Sequence, residues 1–565
     1  MPRIAALGVF VSLVAGCATT PLPEAPAVPL SFIELDIAEA QQAIGEQRVS
    51  CEQITRRYLR RIETYNQVDG LNAIIYINPR ALERARALDK KYAAGSTMKR
   101  LHCMPVILKD NFDTADMPTE AGSIAMRGSY PPDDAFMVQR LRDNDAIILA
   151  KSNMAEWAFS PYVTVSSTQG ITRNAYDRER VPAGSSGGTA SAIAANFGII
   201  GMGTDTGNSI RGPASHLALV GMRSTLGATS RDGIVPLLLN RDVGGPLTRT
   251  VTDNAVAYSV IAGVDPADPL TRSAAGHVRA DYSAYLKRDG LQGARLGVLR
   301  ALVDSGDADF EVIDSMDRAI EELTAAGAVI IDPLEIPDFD RLRQATGFCS
   351  RFRYDLENYL DTLGAAAPIS SLDDVERERR YLPGSAQAME WAMAVSGTPR
   401  EQNPPCVDVE GDPRRKQFLT AVVAAMDAAG LDAIIYPSWS NPPRKIGDLE
   451  SPHGNNSPVI APHTGQPAIT VPMGFTSNGL PLGLQFLARP YDEHKLFQFA
   501  FAFEQATQYR RPPPGFGPLD LELQTGVCYF NTGSHAVGSH VCSGGELLHC
   551  EGHGMWVREG TCNQD

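Results

Sequence analysis

The sequence predicts an α/β fold, a large sheet covered by helices on both faces, followed by a small Cys-rich C-terminal module. Three observations predict it. Short apolar runs of strand character alternate with helical stretches through most of the 565 residues. The segment from Gly293 to Pro333 reads as strand, amphipathic helix, strand, the unit that lays a helix against a sheet. Four of the nine cysteines, Cys528, Cys542, Cys550 and Cys562, fall beyond the proline cluster Arg511-Pro512-Pro513-Pro514-Gly515.

In chain order, Phe32 to about Lys91 is helical, with Ile54, Tyr58, Leu59 and Ile62 at three- and four-residue spacing and Ala81 to Leu88 continuing the pattern. A short strand-like run, Leu71 to Tyr76, interrupts it. Further strands are expected at Pro105–Leu108, Ala146–Ala150, Ile199–Gly203, Arg295–Leu299, Ala328–Ile331 and Asp432–Tyr436. The tail offers Gly, Ser and His where a core would need apolar side chains, so it needs cross-links to hold a shape. Two disulfides fit best. Zinc, suggested by His535, His540, His549 and His553, is disfavoured because no C-x2-C pair occurs.

At the N-terminus Arg3 precedes an apolar stretch, Ile4 to Val14, too short to span a bilayer. It ends in Val14-Ala15-Gly16-Cys17, which resembles the lipobox of bacterial lipoproteins. The resemblance implies cleavage before Cys17, acylation of that residue and a membrane anchor, with an outer-membrane destination because Ala18 is not Asp. An ordinary signal peptide, or a buried N-terminal helix containing an incidental Cys, is the alternative. The Pro- and Ala-rich stretch to Leu30 reads as an extended tether. The chain thus divides into a leader over 1–16, a tether over 17–30, a main body over 31–515 and a Cys-rich module over 521–565. Export into an oxidising compartment fits the even number of cysteines left once Cys17 is set aside.

Composition narrows the function. With 43% hydrophobic and 21% charged residues the chain is globular, and a net charge of −15 argues against a nucleic-acid partner. The chemistry concentrates between Ala183 and Pro213. Ala183-Gly184-Ser185-Ser186-Gly187-Gly188 and Gly203-Thr204-Asp205-Thr206-Gly207-Asn208-Ser209-Ile210-Arg211 place two hydroxyl clusters in Gly-rich turns around an Ala-rich helix. Glycine lets backbone approach a ligand and leaves N–H groups aimed at it, as a developing oxyanion requires. Ser186 also centres a G-x-S-x-G, but Asp177-Arg178-Glu179-Arg180 and Pro182 stand where a nucleophile elbow needs an apolar strand. Upstream, Met104-Pro105-Val106-Ile107-Leu108-Lys109-Asp110-Asn111 ends an apolar strand in a lysine. Taken alone, Lys109 reads as a strand-end lysine turned to solvent.

Together these segments resemble the amidase signature family, over about Phe32 to Pro512. Further matching stretches are Asn153-Met154-Ala155-Glu156, Thr172-Arg173-Asn174, Asp242 to Arg249 and Gly465 to Pro472. The resemblance implies a large mixed sheet and a Ser-Ser-Lys triad, with Ser209 as nucleophile, Ser185 as relay and Lys109 as base. It implies a cis peptide between Ser185 and Ser186, and hydrogen bonds from Ser185 to both Lys109 and Ser209. The N–H groups of Thr206, Gly207, Asn208 and Ser209 would bind the oxyanion. Asp205 and Arg211 are expected as a supporting ion pair, or else as a surface pair worth at most about 1 kcal/mol. No cofactor and no metal is implied. The family has Gly where Asn208 stands, a difference expected to bear on specificity. Small-molecule, aryl or peptide C-terminal amides are the expected substrates. Lipid amides, esters and cell-wall amides are the alternatives, as is a surface-binding role for the tail.

Overall fold

The structure, a computed structural model, describes residues 30–67, 70–519, 527–530, 533–536, 539–543, 546–552 and 555–561. The leader, Cys17 and nearly all of the tether lie outside these residues, as does Cys562.

Among the described residues thirteen strands precede the tail: β1 (Ile74–Ile77), β2 (Pro105–Lys109), β3 (Ile147–Ser152), β4 (Val165–Ser166), β5 (Gly170–Ile171), β6 (Ile200–Asp205), β7 (Val220–Arg223), β8 (Val243–Thr248), β9 (Arg295–Val298), β10 (Val329–Ile331), β11 (Ala433–Pro437), β12 (Ala468–Phe475) and β13 (Pro481–Leu487). β4 and β5 pair only with each other. The remainder form one 11-stranded sheet in the order β1-β3-β2-β6-β8-β7-β12-β13-β11-β9-β10. It is mixed: β3-β2-β6 and β11-β9-β10 run parallel, and the strands between β6 and β11 pair antiparallel.

Alternation along β11 shows why both faces are covered. Ala433 and Ile435 face the core cluster that contains Val312 and Met316 of helix Phe310–Ala325 and Leu496, Phe497 and Phe503 of helix Glu493–Thr507. Ile434 and Tyr436 pack with Phe418, Val422 and Met426 of helix Pro413–Ala428 on the other face. A strand buried on both faces reads as a continuous apolar run, which is how Asp432–Tyr436 was legible. Helix Cys51–Tyr65 starts where Ser50 and Gln53 form a capping box, and it buries Ile54, Tyr58 and Ile62 as their spacing requires.

The expected strands all form, most within a residue or two of the predicted bounds. β1 begins later than Leu71 because Asn72 adopts a left-handed φ of 50° and turns the chain. Packing runs past the proline cluster: Phe516 is buried in the core, and Arg61 donates to the carbonyls of Phe516 and Gly517. Cys51 pairs with Cys103 and Cys349 with Cys406, pairings that the sequence left open. In the tail, β14 (Val527–Phe530) pairs with β15 (Gly533–Ala536), and β16 (His540–Ser543), β17 (Glu546–Gly552) and β18 (Met555–Thr561) form a second small sheet. The cysteine side chains of this tail lie outside the described residues. Among the described residues no helix is long and apolar enough to cross a membrane.

Candidate active site

Lys109 closes β2 and Asp205 closes β6, its parallel neighbour. Arg223 closes β7, and Val243 opens antiparallel β8 directly opposite Asp205. Four strand ends therefore meet at one edge of the sheet, the edge where α/β sheets place their ligands. Two loops lie over it. One carries Gly184-Ser185-Ser186 into helix Gly187–Ala194, and the other carries Thr206 to Ile210 into helix Arg211–His216. Glycine is obligatory at 188, where a Cβ would run into the carbonyl of Asn153.

Lys109 is 0% exposed. Its Nζ lies 2.7 Å from Ser185 Oγ and 2.7 Å from Thr204 Oγ1. The solvent-facing reading of this lysine is thereby overturned, because β2 is an interior strand whose five residues are all buried. Burial pulls its pKa from 10.5 to about 7, against the opposing pull of the Asp242 and Asp205 carboxylates. Asn111 Nδ2 also donates to Thr204 Oγ1, at 3.1 Å, so the threonine hydroxyl gathers Lys109 and Asn111.

The nucleophile loop is held by a buried ion cluster. Arg211 Nε stands 3.1 Å from Asp205 Oδ2, and Arg223 Nη1 stands 2.8 Å from Asp205 Oδ1. Asp205 also accepts from the backbone N–H groups of Ile210 and Arg211, and Arg211 donates to the Gly207 carbonyl at 2.6 Å. Burial works to raise the Asp205 pKa, but the two guanidiniums overcome it and hold it near 2. All three side chains are inaccessible to solvent, so the surface-pair reading of Asp205 and Arg211 is corrected. Removing one member of such a cluster strands the others. Asp205→Asn is expected to cost about 3–5 kcal/mol of unfolding free energy in a urea titration. A loss below about 1 kcal/mol would show that the cluster does not hold the loop.

With the loop so held, no hydrogen bond to a described residue is made by the backbone N–H of Thr206, Gly207, Asn208 or Ser209. Four consecutive buried or half-buried donors without partners are costly unless a ligand uses them. Thr206 Oγ1 donates to Asp242 at 2.5 Å, and Asp242 accepts the N–H groups of Leu237 and Leu238. Ser186 is fully buried with its hydroxyl on the Thr204 carbonyl at 3.2 Å, which takes it out of nucleophilic chemistry. Ser209 is 5% exposed, and its hydroxyl has no hydrogen-bond partner among the described residues.

Two expectations drawn from the resemblance need correction. The cis bond joins Gly184 to Ser185, one bond before the position expected. Ser185 touches Lys109, but no hydrogen bond joins Ser185 to Ser209.

Asn208 acquires a definite role. Its Nδ2 donates to the Gly184 carbonyl at 3.1 Å and to the Pro161 carbonyl at 3.2 Å, tying the nucleophile loop to the Ser185 loop. Its backbone is not left-handed, so the position does not demand glycine. Asn208→Gly is expected to lose about 1–2 kcal/mol of stability, the net worth of two hydrogen bonds, and to lower turnover about five- to tenfold as the loops lose register. Denaturant titration and steady-state kinetics check this; unchanged kinetics would reduce the tie to a structural one.

Sequence reasoning missed Arg223, Asp242 and Thr204. Arg223, like Lys109, is a cation closing an apolar strand, a pattern that by itself reads as solvent-facing. Lys151 carries that pattern too, but its partners are Thr119 Oγ1 at 3.0 Å and the Asp110 carboxylate at 3.8 Å. Burial draws Asp110 up to about 7 and Lys151 down.

The fold is that of an α/β enzyme, and comparison with known proteins makes it one that hydrolyses amide C–N bonds. The Amidase family model matches residues 53–497, and the chain belongs to that family. An Arabidopsis thaliana protein described as a probable amidase is 32% identical, the match covering 86% of this chain and 92% of that one. A glutamyl-tRNA(Gln) amidotransferase component from Thermoanaerobacter pseudethanolicus is also 32% identical, over 86% of this chain and 99% of its own. Among solved structures, the peptide amidase of Stenotrophomonas maltophilia superposes with a TM-score of 0.77 at 35% identity, over 85% of this chain and 99% of that one.

Proposed function

We propose that the chain is an exported serine amidase acting on small-molecule, aryl or peptide C-terminal amides, with Ser209 as nucleophile, Ser185 as relay and Lys109 as base. One observation carries the reading: a solvent-free lysine amine lies 2.7 Å from the Ser185 hydroxyl, beside a loop whose four N–H groups lack partners among the described residues. An amine with a pKa near 7 is half neutral at neutral pH, where a general base works best. Neutral, it accepts a proton from Ser185 along the same 2.7 Å contact while donating to Thr204. Ser185 in turn takes the Ser209 proton as Ser209 attacks the carbonyl. The Thr206–Ser209 amides receive the oxyanion. The proton returns along the same path to the leaving nitrogen, the acyl group remains on Ser209, and water releases the acid by the reverse relay. Ser209 and Ser185 are not bonded in the structure, so the relay requires their hydrogen bond to form in the substrate complex, where catalytic hydrogen bonds tighten.

Peptide amides are favoured by the likeness to the Stenotrophomonas maltophilia peptide amidase. The amidotransferase components are comparably similar, but a net charge of −15 speaks against a tRNA partner. Two disulfides in the main body support export, since cytosolic proteins keep their thiols reduced. Anchoring through Cys17 rests on the leader sequence. The test is intact-protein mass spectrometry after exposure to a fluorophosphonate, together with a panel of amides and shape-matched esters. A single adduct mapped to Ser209, with ammonia released from peptide amides, is the expected result. An adduct on another serine, or turnover confined to esters, would overturn it.

A further inference from the structure

Phe348 is 42% exposed, and yet it is fixed in place. The Arg241 guanidinium lies 4.6 Å from its ring centroid and the His463 ring 5.1 Å from it, edge on. Its Cζ comes within 3.5 Å of the position a Cβ would take on Gly207, the half-buried residue at the centre of the N–H array. A carbonyl bound to those N–H groups therefore carries its substituent within reach of this ring. The Pro161 carbonyl is joined to the same loop through Asn208 Nδ2.

The segment that holds Phe348 has little backbone order of its own. It is the irregular connection between helix Phe339–Ala345 and helix Phe352–Leu363, and among the described residues its positions 347–350 make no backbone–backbone hydrogen bond. It is fastened by side chains and by one covalent bond. Arg241 donates to the Thr346 and Gly347 carbonyls, each at 3.1 Å, and Gln402 donates to the Ser350 carbonyl at 2.9 Å. Cys349, the next residue after Phe348, is bonded to Cys406 in a second irregular stretch, and Arg351 donates to the Cys406 carbonyl at 3.2 Å. A cross-link between two segments without ladders removes the alternative conformations that would let the ring swing away.

We propose that Phe348 determines specificity by contacting the substituent of the bound carbonyl, and that the Cys349–Cys406 disulfide is a positioning element that presents this ring to the substrate. The inference rests on the serine amidase reading above. A rigid, partly exposed aromatic ring favours substrates with an aromatic or bulky apolar side chain, which it covers without first losing conformational freedom.

The test compares N-acetyl-phenylalaninamide with N-acetyl-glycinamide in the wild type, Phe348→Ala, Phe348→Tyr and the double variant Cys349→Ser/Cys406→Ser. In Phe348→Ala the ratio of kcat/KM for the aromatic over the glycine amide is expected to fall about tenfold, mainly through KM for the aromatic amide. Phe348→Tyr restores the ratio. The cysteine double variant lowers it in the same direction, and adding Phe348→Ala to it brings little further loss, because both changes act on one contact. A ratio unchanged in Phe348→Ala overturns the proposal. A double variant that loses kcat equally on both substrates overturns the positioning role, and Phe348→Ala decides the specificity role should the double variant not fold. Absence of a fluorophosphonate adduct on wild-type Ser209 defeats the catalytic reading and this inference with it. An adduct with an unchanged ratio defeats this inference alone.

Discussion

Ser209→Ala is expected to lower amide turnover by at least about 10⁴-fold and to abolish the fluorophosphonate adduct, while the protein stays folded. The size follows from the lack of a substitute nearby. Ser186 is buried with its hydroxyl on the Thr204 carbonyl, and the Thr206 hydroxyl is committed to Asp242. Ser185 is held at Lys109 and needs its proton for relay. What remains in the variant is the N–H array and the binding site, which orient substrate but supply no covalent step. Stability should change by no more than about 0.5–1 kcal/mol, since the Ser209 hydroxyl gives up no hydrogen bond to a described residue. Single-turnover kinetics and a thermal melt measure the two effects. Residual turnover above about a tenth of wild type would move the nucleophile elsewhere.

Much of this site was legible through the family resemblance that its local segments carry, since Lys109 taken alone reads as a lysine turned to solvent. Lys109 closes an apolar strand, the hydroxyls stand in Gly-rich turns, and Asp205 and Arg211 flank Ser209 within a few residues. The parallel strands were legible as well, being continuous apolar runs between helices. The middle of the sheet was not. β8 contains Gly244-Gly245-Pro246, and β12 contains Pro472 beside a register shift, residues that read locally as turns. They persist as strands because tertiary pairing overrides propensity: β8 is held between β6 and β7, and Pro246 sits opposite Met202. With those strands unassigned, nothing in the sequence could bring Arg223 or Asp242 to the Lys109 edge. Asn208 shows a different limit. Sequence marked it as a departure from the family's glycine, but its use as a tie between two loops depends on carbonyls at Gly184 and Pro161, which backbone geometry alone reveals. The ring of Phe348 likewise reaches the site from far along the chain, out of a stretch with no motif.

The reading of Lys109 as a base with a lowered pKa leads to a prediction about pH. Lys109→Met keeps the volume of the buried chain and removes the amine, and turnover is expected to fall at least about a hundredfold, the scale of lost general acid–base catalysis. Ser185→Ala should fall similarly, because it cuts the path between amine and nucleophile. In the wild type, kcat/KM for an amide is expected to rise with pH and level off above an apparent pKa near 7, since the amine acts only when neutral and burial brings its pKa to about 7. The ascending limb should vanish in Lys109→Met. Its position should also respond to charge. Asp242 is a carboxylate that raises the Lys109 pKa, so Asp242→Asn favours the neutral amine and moves the limb to lower pH. That variant also weakens the acceptor for Thr206, Leu237 and Leu238, so its absolute rate falls; the midpoint of the profile reports the charge effect separately from that loss. A limb that survives in Lys109→Met belongs to another group. A limb that shifts to higher pH in Asp242→Asn has the wrong sign for a neutral-amine base, and the relay from Ser209 through Ser185 to Lys109 would have to be abandoned.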